Sequence, residues 1–246
     1  MRAELVTGHW RFDSFSFLGK LSQYLETYRC DGSAPGHLAI RFIPENDQDR
    51  ARLLRINSTL FASSTFDGSE CESVFFDITR TRPPKFHLIQ DRPWSHEDLT
   101  NMVAYLVTTN VSLRLLDICE RYARREYKFE YDDCAYMTGF FPVCFQWCPI
   151  MFAQGHCVQL TLQILSLALY NDARELRYQL KHIGCCAICP GGMCKICPSC
   201  CIHTPPYAAY SPEMAVRNLQ SINILGSGRE LLGEQCFRFS VNKIYR

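Results

Sequence analysis

From Val158 to Leu169 this chain is apolar almost all the way round a helix: Val158, Leu160, Leu162, Ile164, Leu165, Leu167, Ala168 and Leu169 leave no continuous polar stripe. A helix of that kind has no face to give to water, so it must be enclosed on every side. This demands that the rest of the chain wrap around it, and it predicts a central helix starting at Cys157. The pattern turns polar after Tyr170, with Asp172, Arg174, Glu175, Arg177 and Lys181, and the helix is expected to run on to Leu180 as it leaves the core. At 246 residues the chain is long enough to bury such an element within one large domain.

The first residue of that helix is a cysteine, within Gly155-His156-Cys157-Val158-Gln159-Leu160. A thiol there feels the positive end of the helix dipole and the unpaired backbone N–H groups of the first turn. Both favour thiolate, the nucleophilic form. Far upstream, Gly36-His37-Leu38-Ala39-Ile40-Arg41-Phe42 reads as a strand that begins on a histidine. An imidazole on a strand beside the helix would complete a thiolate–imidazolium pair.

Composition narrows the classes. Apolar residues make up 47% and charged residues 21%, as in ordinary globular proteins, and a net charge of about +1 supplies no general attraction to nucleic acid or anionic membrane. The basic run Arg121, Arg124, Arg125 and Lys128 is interleaved with Glu120, Glu126 and Glu130 and reads as a solvated helix face. No stretch reaches the ~18–20 apolar residues of a membrane span. The N-terminal segment lacks the apolar core of a signal peptide. The 15 cysteines are odd in number, which with no export signal argues for a reducing compartment, cytoplasmic or nuclear.

Along the chain, Phe15 to Tyr28 has amphipathic helical spacing. Strands are expected at Leu53–Ala62, Val74–Arg80 and Phe86–Gln90. Ser95 with Asp98 resembles a capping box opening a helix that runs to about Thr109, and Val111–Arg125 is a second helical stretch. Phe140–Ala153 is an apolar, proline-broken approach to the Cys157 helix. Ser211-Pro212 opens a short helix. Gly226-Ser227-Gly228 reads as a turn, and Gln235–Val241 alternates as a closing strand.

A histidine strand first and a buried cysteine helix second is the order found in circularly permuted papain-like proteins. Gly36-His37-Leu38-Ala39-Ile40 resembles the histidine strand of the NlpC-like and lecithin–retinol acyltransferase-like group, Gly155-His156-Cys157-Val158-Gln159-Leu160-Thr161 resembles its nucleophile helix, and Tyr210-Ser211-Pro212-Glu213-Met214-Ala215-Val216-Arg217-Asn218-Leu219 resembles a segment of its divergent viral members. The resemblance implies an α+β fold, an antiparallel sheet packed on a central buried helix. It also implies a thiol hydrolase or acyltransferase acting on an amide or ester of a protein, peptide or lipid. Cys157 would be the nucleophile and His37 the base, with no cofactor for catalysis. The family places a third polar residue on the strand after the histidine strand. With that strand read at Asn57–Ser63, the matching residue is Phe61, and Asp77 or His87 would have to substitute. Asp77 is the expected third member of the site. Absence of a polar residue at Phe61 would favour a non-catalytic interaction protein on the same scaffold.

Residues 184–203 form a separate problem within the single expected domain, 1–246. Cys185-Cys186-x-x-Cys189-x4-Cys194-x-x-Cys197-x-x-Cys200-Cys201-x-His203 holds seven cysteines and one histidine in 19 positions. Cys-x-x-Cys pairs let two thiolates reach one tetrahedral ion, so Cys186, Cys189, Cys194 and Cys197 are candidate ligands of a structural zinc. S-acylation is a second reading, since Ile188, Met193, Ile196 and Ile202 would let an acylated hairpin sit at a membrane surface. An unligated loop is the third.

Overall fold

A computed structural model of the chain describes residues 1–8, 37–60, 73–79, 82–87, 102–131, 154–180, 207, 210 and 212–231. They build a six-stranded antiparallel sheet with helices, an α+β arrangement. In chain order the strands are β1 (Arg2–Gly8), β2 (His37–Ile43), β3 (Val74–Thr79), β4 (Arg82–His87), β5 (Met102–Val107) and, after a two-residue parallel pair β6 (Glu130–Tyr131) and β7 (Gln154–Gly155), β8 (Leu225–Leu231). The sheet order is β4-β3-β2-β1-β5-β8, with the histidine strand near the centre. The helices are α1 (Asp47–Leu60), α2 (Ser112–Ala123), α3 (Cys157–Tyr170), α4 (Leu176–Gln179) and α5 (Pro212–Ser221).

Alternation along the strands divides the sheet into two faces. Ala3 and Leu5 of β1, Leu38, Ile40 and Phe42 of β2, and Phe76 and Ile78 of β3 join one cluster with α3. Val6, Ala39, Phe75, Met102, Ala104 and Leu231 form a second cluster on the opposite face. The apolar run from 158 does what its pattern requires. Every residue of α3 from Cys157 to Ser166 is buried, and Leu162 and Leu165 are completely so.

Four sequence expectations change. Leu53–Ala62, read as a strand, lies largely in α1. The overlooked signal was upstream: the Asn46 side chain accepts the Asp49 N–H at 2.8 Å, and Asp47 and Asp49 place acid on the first turn. Leu53 and Ile56, three apart, then face the core together. The helix expected to run to Thr109 is, over its last residues, strand β5. Here Val103, Tyr105 and Val107 are strand formers, and pairing with β1 on one side and β8 on the other overrides the local helical pattern. Gly226-Ser227-Gly228 is not a turn but the middle of edge strand β8. A Cβ on Gly228 would come within 2.8 Å of the Tyr105 ring, so the glycine permits the close approach of the two strands. The long helix stops at Tyr170, where Asn171 takes the left-handed conformation at φ 63° and its N–H bonds the Leu167 carbonyl at 3.0 Å.

The break after α3 is held by a buried serine. Ser166 donates to the Asp172 carbonyl, accepts the Leu176 N–H at 2.9 Å and is hydrogen-bonded to Tyr207, whose oxygen accepts the Arg177 N–H at 3.1 Å. Ser166→Ala leaves the buried Leu176 N–H without its acceptor and the Asp172 carbonyl without its donor. The expected cost is about 1–3 kcal/mol in urea unfolding. A neutral result would show that the turn holds without it.

The expected helix Phe15–Tyr28, the capping box at Ser95, the approach segment Phe140–Ala153, Ser211, the strand Gln235–Val241 and the segment 184–203 lie wholly or almost wholly outside the described residues. Among the described residues no helix is long and apolar enough to cross a membrane.

Candidate active site

His37 opens β2 and pairs across the sheet with Gly8, the last residue of β1, so it stands at an end of the sheet. Cys157 opens α3, which packs against β2. The approach to the helix is set by β7, whose two residues pair in parallel with β6 immediately before His156. The first residues of the histidine strand and of the cysteine helix thus meet, and the Cys157 sulfur is hydrogen-bonded to the His37 ring.

A second imidazole is also there. His156 is the N-cap of α3, with extended backbone at φ −111° and ψ 178°, and its carbonyl accepts the first helical hydrogen bond from the Leu160 N–H at 3.1 Å. Its ring makes no capping bond to the helix. It is hydrogen-bonded to the Cys157 sulfur instead. His156 has no role among the sequence expectations. The usable signal was its position: an N-cap normally takes Ser, Thr, Asp or Asn, and a histidine there, directly before a cysteine, has another task.

The three groups are buried: Cys157 is 6% exposed, His37 4% and His156 2%. Burial alone pushes a thiol up, because the thiolate loses its hydration. Here the charge of His37, the hydrogen bonds from His156 and His37, and the charge of His156 outweigh that penalty and bring Cys157 down to about 5. Cys119 of α2 is the internal contrast. It is equally enclosed, its own backbone offers the only compensation, and burial leaves it well above the ordinary range.

Gln159, two residues into the helix, folds its amide back over Gly155, where any Cβ would fall onto that amide. A side chain at Gly155 would therefore oblige the flexible Gln159 amide to turn away.

Asp77 lies in β3, the strand that follows and pairs with the histidine strand. This corrects the reading that put Asn57–Ser63 and Phe61 in that place, since Asn57–Leu60 are helical. Asp77 follows Phe76, which pairs with Ile40, three positions along β2 from His37. His87 is one strand further away, in β4, opposite Phe75. The cysteines Cys186, Cys189, Cys194 and Cys197 lie outside the described residues. Among the described residues no group of three or more His, Cys, Asp or Glu could hold a metal ion. The basic run ending α2 is compensated by its own acids: Arg121 pairs with Glu126 at 3.1 Å and stacks over Tyr127 at 4.2 Å, and Arg124 pairs with Glu120.

No protein-family model, no curated protein and no solved structure matches this chain.

Proposed function

We propose that the chain is a cysteine-dependent hydrolase or acyltransferase on a circularly permuted papain-like scaffold, acting on an amide or ester bond. The observation that carries this reading is the buried Cys157 sulfur at the first position of α3, hydrogen-bonded to His37 and ionised well below the range of a free cysteine. The order histidine strand then cysteine helix, the antiparallel sheet and the enclosed α3 support the scaffold assignment.

The Cys157 thiolate attacks the substrate carbonyl carbon and a C–S bond forms. The carbonyl oxygen becomes an oxyanion, and the first-turn N–H groups of α3, which have no intrahelical acceptor, are its donors. The His37 imidazolium gives its proton to the departing amine or alcohol as the C–N or C–O bond breaks. This leaves a thioester and a neutral imidazole. His37 then takes a proton from water, or from an acceptor hydroxyl or amine, which attacks the thioester and expels the thiolate. Asp77 is the group proposed to act on His37 from β3. Cys186, Cys189, Cys194 and Cys197 are proposed as a structural zinc site apart from this chemistry.

The rival reading is a zinc-binding or acylated interaction protein that keeps the scaffold without catalysis. The near-complete burial of all three site residues favours it, since a substrate needs access to the sulfur.

Iodoacetamide alkylation of the native chain separates the two. At pH 6 a thiol of pKa near 5 is about nine-tenths ionised against about 0.3% for a free cysteine, but the lower basicity costs roughly 25- to 55-fold in nucleophilicity. The net rate advantage is thus only about tenfold, and the midpoint of the pH profile is the sharper readout. Cys157 is expected to react with a midpoint near pH 5, losing reactivity below it as the thiolate takes up a proton. A midpoint at pH 8 or above, or an inert Cys157, gives the scaffold reading.

A further inference from the structure

The sulfur has two imidazole partners where the reaction just described uses one. His37 reaches it from β2 and His156 from the entrance of its own helix. Both rings are almost fully enclosed, so neither is a surface histidine that happens to pass nearby. A ring at the N-cap could have bonded the first-turn N–H groups, and this one does not.

We propose that His156 is a second catalytic imidazole, whose N–H holds the Cys157 sulfur while His37 leaves it to move protons. This rests on the reading of Cys157 as nucleophile and assigns the division of labour at that site. The chemistry makes two demands on one histidine that conflict. During acylation His37 must turn its N–H from the sulfur to the leaving group. During breakdown of the thioester the C–S bonding pair returns to sulfur while neutral His37 is occupied with water or the acceptor. With one imidazole the sulfur would carry its charge in a buried site with no donor except the helix end. With His156 donating, the charge that returns to sulfur is met by an N–H that takes no part in the proton transfer. The backbone of His156 is held at the helix start, because its carbonyl is the first acceptor of α3.

Other groups around α3 are engaged elsewhere. Arg41 of β2 pairs with Glu4 at 3.3 Å, Tyr122 of α2 donates to Gln163, Arg177 next to the α3–α4 turn stacks on Tyr178, and Glu213 and Arg217 of α5 pair with each other at 2.6 Å. Cys119 of α2 is a neutral thiol. Of the described groups, His37 and His156 are the ones acting on the sulfur.

The test is the pH profile of Cys157 alkylation by iodoacetamide in the full chain, for the native protein, His37→Ala, His156→Asn and the double variant. Asparagine is a good N-cap, so His156→Asn keeps the helix start. Each single variant should move the midpoint upward by about one to two units, while the rate of His156→Asn at pH 6 should stay within about twofold of native, because the smaller thiolate fraction is offset by the greater nucleophilicity of the more basic thiolate. In the double variant the midpoint should rise above that of a free cysteine, because burial then acts against the helix end alone. A His156→Asn profile that superimposes on the native one, with His37→Ala alone restoring an ordinary midpoint, overturns the role of His156 and leaves the Cys157–His37 pair standing. A native profile with no midpoint below pH 8 overturns the pair itself. If a variant loses its native circular dichroism, the native chain still decides by histidine-ring NMR. Both the His37 and the His156 signals should shift with the thiol midpoint and lose that inflection in Cys157→Ser. A response confined to His37 overturns the proposal.

Discussion

Cys157→Ser is expected to abolish acyl-enzyme formation. With an activated acyl ester such as p-nitrophenyl acetate, the native chain should release a burst of one nitrophenolate per chain and gain one acetyl group at Cys157 by mass. The serine variant should lose at least about 10³-fold in the burst rate. The reason is ionisation: a serine hydroxyl in the same place remains protonated where the thiol, at about 5, is already a thiolate. His37→Ala should still acylate, because nitrophenolate departs without a proton and the helix end and His156 remain at the sulfur, but its burst should move to higher pH as the thiolate loses the charge and hydrogen bond of His37. Below pH 5 the native burst should fall as the sulfur takes up its proton. Equal bursts in the native and serine proteins would place the acylation elsewhere and remove the basis for the enzyme reading.

Leu165→Ala is expected to cost about 2–5 kcal/mol. Leu165 is wholly buried at mid-helix, with Ile164, Leu162 and Ala168 of the same helix enclosed around it, so the hole left by three carbons has little chance to collapse. At a typical urea dependence of ~2 kcal/mol per molar, the unfolding midpoint should drop by about 1–2.5 M. Leu167→Ala is the control. That side chain is only partly buried, and its loss should cost clearly less. A Leu165 effect below about 0.5 kcal/mol would mean that α3 is a surface helix.

Much of the site was legible because it depends on local rules. A cysteine at the head of an all-apolar helix announces both a buried element and a thiolate-favouring position, and neither needs knowledge of the neighbours. The strand on which His37 sits was readable from a single run of β-forming residues. His156 was legible in principle, as an unusual N-cap, but its hydrogen bond to sulfur depends on a ring rotation that no spacing rule specifies.

Where the reading failed, pairing partners or capping groups outside the apolar run decided the outcome. Leu53 and Ile56 carry the same apolar signal in a strand or a helix, and the Asn46 cap with its acidic first turn selected the helix. Met102–Val107 became a strand because it lies between β1 and β8, and Gly226–Gly228 was drawn into β8 because a glycine fits against Tyr105 where a turn was expected. By itself the sequence determined that α3 is enclosed, that a thiol heads it and that a histidine begins a strand, since these follow from side-chain polarity and helix polarity along one segment. Only the tertiary structure decided that the ends of β2 and α3 meet, that Asp77 rather than Phe61 stands on the adjoining strand, and that two imidazoles converge on one sulfur. The meeting of His37 and Cys157 joins segments 120 residues apart, and that of β2 and β3 joins strands separated along the chain, so their geometry is set by sheet order and packing rather than by any local preference.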